Sequence, residues 1–423
     1  MKISFRKFYL FFFTLLAICI IVGYFRSVLS PANQIVQSFK NLSIQSSEPD
    51  CYELLKPNVE NKSLQDAEKW VVPLNDTLTD SQLLQNIHSS CDTFLSNKNY
   101  ASNHPSKEEK NFPLSFSILA FKSSSQIERL LRTIYRPWNY YCIHVDVKSD
   151  KQFLTAIDAL VNCLNSKYNN IVNTKNRVDV KWGKMSVLTA DLNCMKELYE
   201  KYKDWKYFIN LTGQEFPLKT NAELVKILTA YKGANNLEGV YKKRNEERIP
   251  HIKMPFPVVW FKGSVHITVN RDFVAFIFES PKSKTLLNIV KSQLIPDETF
   301  FSTLNYNPQL RIPGSYIGNP DEITSEYFMT RYKNWGQYPC VSNKIVRGIC
   351  IWGAGDLPKL VTAPNLFANK FHEEFQPATL RCLERWIHDK VQKEAQTGTV
   401  EIDSEFYSSL PFVKYQYNPS NDY

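Results

Sequence analysis

Phe116-Ser117-Ile118-Leu119-Ala120-Phe121, then Ile127, Leu130, Leu131 and Ile134, then Tyr140-Tyr141-Cys142-Ile143-His144-Val145-Asp146, form the stretch that decides the fold. Ser117 to Phe121 is a short apolar run suited to a buried strand. The next four apolar residues fall at i, i+3, i+4 and i+7, the spacing of one helix face. Pro137 stops that helix, and Tyr140 to Val145 predicts a second strand ending on Asp146. In open α/β sheets ligands bind at the carboxyl ends of strands, where an acid accepts hydrogen bonds from a ribose or a base. An Asp that merely caps the next turn fits the same residues, and this stretch does not choose between the two.

The alternation continues downstream. Ala190 to Tyr202 predicts a helix and Trp205 to Leu211 a strand; Thr220 or Asn221 caps a helix running through Leu228, and Val265 to Val269 is another strand. The fold class is therefore α/β, a mixed sheet flanked by helices. Lys242 to Arg248 is a charged loop, either a solvated face or the lining of an acceptor groove. Gly353-Ala354-Gly355-Asp356 lacks the third glycine of a dinucleotide fingerprint.

The 423 residues suffice for one large domain behind a tether. Lys2, Arg6 and Lys7 precede an apolar run from Phe8 to Phe25 that Arg26 closes. Its length suits a membrane-crossing helix, and the flanking charges put residues 1–7 in the cytoplasm and the rest in the lumen. A cleavable signal peptide is the rival, but no small-x-small cleavage site follows. Residues 26–111 are polar with weak periodicity and read as a lumenal stalk, partly ordered toward its end, ahead of a catalytic domain at 112–423. Cys19 lies in the apolar run. The other cysteines, at 51, 91, 142, 163, 194, 340, 350 and 382, are an even set without metal-binding spacing, which predicts disulfides. Asn41, Asn61 and Asn75 begin glycosylation sequons, while Asn210 also fits the pattern but ends an apolar strand. The net charge of +9 is spread along the chain without a basic block, so nucleic acid is not implied.

Pro296-Asp297-Glu298-Thr299-Phe300-Phe301 carries the candidate chemistry. A carboxylate beside apolar rings loses hydration and moves toward a pKa useful for proton transfer, so Glu298 is the candidate general base. The bland alternative is a helix end with Asp297 and Glu298 in water. Metal-using nucleotide-sugar transferases place two carboxylates as D-x-D after a strand, to hold a divalent ion against a diphosphate. Here the strand is followed by Asp146-Val147-Lys148, and the acids of Glu401-Ile402-Asp403 fall in an exposed tail. A diphosphate leaving without a metal needs fixed cations; Arg347 and Lys370, on either side of the glycine turn, are the candidates.

These residues also carry a resemblance. Phe116-Ser-Ile-Leu-Ala-Phe, Arg129-Leu-Leu-Arg-Thr-Ile-Tyr and Tyr141-Cys-Ile-His-Val-Asp146 are similar to the core-2 and I-branching β-1,6-N-acetylglucosaminyltransferase family, glycosyltransferase family 14. So, in order, are Ala190-Asp-Leu-Asn-Cys-Met-Lys, Trp205-Lys-Tyr-Phe-Ile-Asn-Leu, Glu215-Phe-Pro-Leu-Lys-Thr-Asn, Pro296-Asp-Glu, Pro313-Gly-Ser, Gly353-Ala-Gly-Asp-Leu and Leu366-Phe-Ala-Asn-Lys. The match covers about residues 112 to 390 and outweighs any single motif. It implies a GT-A fold and a single-pass type II enzyme of the Golgi membrane. Such an enzyme is inverting, needs no metal or other cofactor, and moves a sugar, GlcNAc first, from a UDP-sugar in β-1,6 linkage to a mucin-type O-glycan. The family's base falls on Glu298. Its donor contacts fall on Leu119, Ala120, Phe121, Asp146, Val147, Lys148 and Trp182, with Arg347 and Lys370 on the diphosphate, and its acceptor contacts on Glu238 and Arg248. Its disulfides imply Cys51 with Cys382, Cys91 with Cys163, Cys142 with Cys194, and Cys340 with Cys350. Departures are Asn245 for an acceptor-loop lysine, Phe121-Lys122 for histidines, Trp182 for a tyrosine and Thr212 for a cysteine. The alternatives are a related transferase with another UDP-sugar or acceptor (peptide O-xylosyltransfer included), a glycosidase, which needs a second placed carboxylate, and a non-catalytic glycan-binding protein.

Overall fold

The computed structural model describes residues 48–73, 78–100, 106–241, 246–322 and 324–421. Pro49–Tyr423 make one compact unit. Its centre is a six-stranded sheet in the order β3-β2-β1-β4-β7-β6. β1 (Leu114–Ala120) lies between β2 (Tyr140–Val145) and β4 (Tyr207–Thr212), parallel to both, with Ala120 opposite Val145 and Leu114 opposite Tyr207. β3 (Ile171–Asn173) extends the parallel side. β6 (Asn236–Leu237) and β7 (Ile267–Asn270) pair antiparallel on the other side. A mixed α/β sheet flanked by helices is what the residue pattern predicts.

Alternation along the strands sorts side chains onto two faces. Tyr141, Ile143 and Val145 of β2 join Tyr207, Ile209 and Leu211 of β4 in one core, under the helices Ser124–Ile134 and Lys151–Tyr168. Cys142 and Phe208 point to the opposite core, under the helix Met185–Lys201 and the helix Arg271–Glu279. Each fully buried aromatic, Phe116 or Phe208 for example, contributes on the order of 2–3 kcal/mol by leaving water. A smaller sheet, β5 (Glu215–Pro217), β11 (Phe367–Asn369) and β8 (Arg331–Tyr332), sits beside a third core that includes Phe216, Trp352 and Leu383.

Four disulfides join the pairs that the resemblance implies: Cys51–Cys382, Cys91–Cys163, Cys142–Cys194 and Cys340–Cys350. Two of them fasten the stretch read as a stalk. From Cys51 to Asn111 its described residues hold five helices, which bury Leu54 and Trp70 in one core and Leu83, Ile87 and Phe94 in another. The compact unit thus begins near Pro49, not at 112. These helices are 4 to 10 residues long, too short for an apolar face to repeat visibly. Among the described residues no helix is long and apolar enough to cross a membrane. The expected anchor at 8–25, the tail before it, and sequons Asn41 and Asn75 lie outside the described residues. Asn61 opens an exposed helix end. Asn210 is buried in β4, its amide nitrogen donating to Asp191 and to the Val265 carbonyl.

Candidate active site

Glu298 sits in the first turn of the helix Asp297–Asn305. The chain enters this helix through Ile295 at φ +56°. That is an outlier for a β-branched side chain, costing on the order of 1–3 kcal/mol. Two backbone bonds hold it: Ile295 N–H donates to the Gly183 carbonyl at 2.9 Å, and Glu298 N–H to the Ile295 carbonyl at 3.1 Å. The Glu298 carbonyl accepts the Gly263 N–H at 2.6 Å. Only glycine permits that approach, because a Cβ on residue 263 would stand 1.8 Å from Ser302 Oγ and 2.2 Å from the Glu238 carbonyl.

The two adjacent carboxylates part company. Asp297 is 5% exposed with Oδ1 unpartnered, and burial, reinforced by the Glu298 charge, pushes its carboxyl up to about 7. Glu298 instead lines a cavity of about 710 Å³, where Oε2 accepts from Arg248 Nη1 at 3.1 Å with Lys262 Nζ 3.9 Å away. The two acids open a helix instead of ending one in water, as the bland alternative has it, and only Glu298 reaches the cavity.

That cavity brings together five sequence candidates: Trp182, Glu238, Arg248, Glu298 and Arg347. The others stand outside its walls. Leu119 and Ala120 end β1 with Phe121 just past it, and Asp146, Val147 and Lys148 directly follow β2; Phe121 and Val147 are exposed. Asp146 is buried, and its oxygens accept from Lys148 N–H (2.8 Å), Lys148 Nζ (2.9 Å) and Val180 N–H (3.2 Å). It shapes its own turn and pins the segment that leads to Trp182, which is 66% exposed. Val178 donates to His144 Nε2, and Gly183 receives Ile295. One segment therefore connects the ends of the parallel strands to the start of the Glu298 helix.

Arg347 stands at the tip of a hairpin between β9 (Ile345–Val346) and β10 (Ile349–Cys350). Arg347 and Gly348 have φ +53° and +79°, the two left-handed residues of a type I′ turn, where Asn-Gly is the usual choice. Arginine there is strained, and Cys340–Cys350 fastens the base of the turn. Lys370 follows β11. It is half-buried; burial, then the charges of Arg347 and Lys122, push its ammonium pKa down. The Arg347 charge thus reaches Lys370, although only Arg347 lines the cavity. Asn245 and the loop 242–245 lie outside the described residues.

Sequence reasoning missed six cavity residues: Lys262, Gly263, Ser264, Ile295, Lys333 and Trp335. Lys262 and Ser264 flank the tight Gly263, and Lys333 and Trp335 follow a strand only two residues long. Behind them lies a buried charged cluster. His266 Nε2 meets Glu215 Oε1 at 2.5 Å, and Arg331 Nε donates to Glu215 Oε2 at 2.7 Å. Burial pushes the Glu215 carboxyl up, but Arg331 and His266 outweigh it and hold it down at about 2; burial pushes His266 down to about 4. Among the described residues no three His, Cys, Asp or Glu side chains are grouped to hold a metal.

The family model Core-2/I-Branching enzyme matches residues 114–361. The chain is 33% identical over 333 residues to a Homo sapiens β-1,3-galactosyl-O-glycosyl-glycoprotein β-1,6-N-acetylglucosaminyltransferase, covering 72% of this chain and 76% of that one. It is 32% identical over 334 residues to the Bos taurus protein of the same name, with 72% and 76% covered. Against the Bos taurus protein so named with the suffix 3 it is 34% identical over 340 residues, with 74% and 76% covered.

Proposed function

The chain belongs to the Core-2/I-branching enzyme family and is a glycosyltransferase, and from that premise we propose that it transfers GlcNAc from a UDP-sugar, with inversion and without a metal, in β-1,6 linkage to a mucin-type O-glycan core. The observation that carries the proposal is a single cavity holding Glu298, Arg347 and the acceptor candidates Glu238 and Arg248.

Glu298, ionised, accepts the proton of the acceptor C6 hydroxyl as that oxygen attacks the anomeric carbon. One base suffices for inversion, because UDP departs as an anion that needs charge stabilisation rather than a proton. Arg347 and Lys370 supply that charge, and the charge repulsion between them falls when a diphosphate lies against both. The ends of β1 and β2, with Trp182, hold the nucleotide and set the near-attack geometry. Glu238 and Arg248 position the acceptor. Arg248 also keeps the Glu298 carboxylate fixed until the hydroxyl arrives. On this reading the run Phe8–Phe25 anchors the enzyme in the Golgi membrane as a type II protein, with residues from 26 onward in the lumen.

The test is a panel of UDP-GlcNAc, UDP-GalNAc and UDP-Gal against a Galβ1-3GalNAc acceptor, with and without excess EDTA. Transfer of GlcNAc to the 6-position, undiminished in EDTA, is the expected result. Activity that is lost in EDTA and restored by manganese overturns the cation mechanism. Tight glycan binding without transfer of any sugar overturns the enzyme mechanism as a whole.

A further inference from the structure

Lys333 is a cavity cation that the transfer mechanism leaves unused. It follows β8, its ammonium donates to Ser264 Oγ at 2.9 Å, and His266 Nδ1 stands 3.5 Å away. The rings of Phe328 and Trp335 flank it, with centroids at 5.6 and 5.7 Å. Among the described residues it makes no ion pair, and burial pushes its pKa down. A desolvated ammonium without a counter-ion is costly, and it persists where something else supplies the negative charge.

Charge balance says which partner is missing. With Arg347 assigned to the leaving diphosphate, the remaining walls hold three cations, Arg248, Lys262 and Lys333, against two carboxylates, Glu238 and Glu298. Arg248 and Lys262 are already engaged by Glu298. One positive charge is left over, and Lys333 is the cation without an ion pair among the described residues, Glu238 and Glu215 acting on it only from beyond ion-pair distance. Trp335 stands between it and the diphosphate side, because the Arg347–Gly348 turn packs against the same indole (a Cβ on Gly348 would meet its ring at 3.5 Å).

The position of Lys333 is also fixed from behind. Glu215 is ionised, so His266 carries its proton on Nε2 and donates it there, leaving Nδ1 to accept from Ser264 Oγ at 3.1 Å. Ser264 thus has a lone pair free for Lys333. This chain of bonds ends in the buried Arg331–Glu215 pair and orients the ammonium before any substrate binds, which lowers the ordering cost of recognition.

We propose that Lys333 reads an anionic substituent, a carboxylate or a sulfate ester, on the acceptor glycan, so that an acidic acceptor is used in preference to its neutral counterpart. The inference rests on the transferase reading above.

The experiment uses the full-length enzyme with UDP-GlcNAc and three matched acceptors: a neutral β-galactosyl disaccharide, the same disaccharide sulfated on galactose, and the same disaccharide carrying a carboxylate sugar. The acidic acceptors should show the higher kcat/KM, and the two acidic arms identify which oxyanion fits. Lys333→Met should cut the acid-to-neutral ratio about thirtyfold, the loss typical of a desolvated charge pair. Lys333→Arg should retain most of the ratio. Equal use of acidic and neutral acceptors by the wild type overturns the proposal. So does a ratio unchanged in Lys333→Met, or a parallel fall for all three acceptors, which marks a structural role. If no acceptor is glycosylated, the transferase reading fails. Calorimetric titration of the sulfated disaccharide into wild type and Lys333→Met then decides the anion site alone: affinity lost in the variant supports it, and equal affinity overturns it.

Discussion

Replacing Glu298 by glutamine removes a charge and almost nothing else. The amide has the shape of the carboxylate, and the Glu298 backbone carbonyl still accepts from Gly263 at 2.6 Å, so the tight approach beneath the cavity survives. The ion pair lost to Arg248 spans 3.1 Å, which at an effective dielectric of 20 is about 5 kcal/mol of bare attraction. Both side chains are about a quarter exposed (26% and 24%), so screening and side-chain entropy reduce this to about 1 kcal/mol of stability. The melting temperature should therefore fall by about 2 °C or less. Loss of a general base, by contrast, slows the chemical step on the order of a hundred- to ten-thousandfold, about 3 to 5 kcal/mol of barrier. The measurement is kcat with donor and acceptor both saturating, accompanied by UDP affinity from calorimetry and a thermal melt. The expected result is a collapse of kcat with UDP affinity and melting temperature nearly unchanged. A Glu298→Gln enzyme that folds, binds UDP and turns over within a few-fold of wild type refutes the assignment.

Arg347→Met and Lys370→Met should each weaken UDP binding about ten- to a hundredfold, with a smaller penalty at high salt; unchanged affinity in calorimetry would remove the leaving-group role. Glu215→Gln should destabilise the fold by about 3–5 kcal/mol, read from urea unfolding, because Arg331 is left as an uncompensated buried charge. The stability that Glu215 contributes is fully present above the ordinary carboxylate pKa of about 4.3 and is lost as pH falls through its folded value of about 2. The wild type should therefore weaken across that window, with a shallower slope in the variant. Asp191, buried between Ser117 and Asn210, has its carboxyl pushed up to about 7 by burial. The unfolded chain ionises first, so stability falls as pH rises from about 4 to 7. Asp191→Asn should raise the melting temperature by a few degrees at pH 8 and by nothing near pH 4; no gain at pH 8 counts against a neutral Asp191.

The elements that the sequence made legible are those in which one physical signal repeats. β2 spans Tyr140–Val145 as expected, and Thr220 caps its helix through a reciprocal pair with Glu223. β4 starts at Tyr207 rather than at Trp205, whose buried indole instead donates to the Leu198 carbonyl. At the candidate site, Glu298 was singled out by its aromatic neighbours only together with the family resemblance, and the burial of Asp297 was not legible, since adjacent residues in a first helical turn point in directions that only packing sets. No local rule places isoleucine at positive φ, so the turn that aims Glu298 was hidden. Lys333 and Trp335 lie beyond a two-residue strand and carry no periodicity at all. Their proximity to Glu298 depends on contacts between residues far apart in the chain.

The Cys51–Cys382 bond gives the fold a particular mechanical character. It ties the first helix of the compact unit to Ala378–Thr397, the longest described helix, which forms no part of the cavity wall. Tension applied at Pro49 is therefore passed to that helix rather than to the cavity wall that holds Glu298. A protease that cuts ahead of Pro49 leaves the compact unit in one piece, with all four cross-links and the whole cavity aboard.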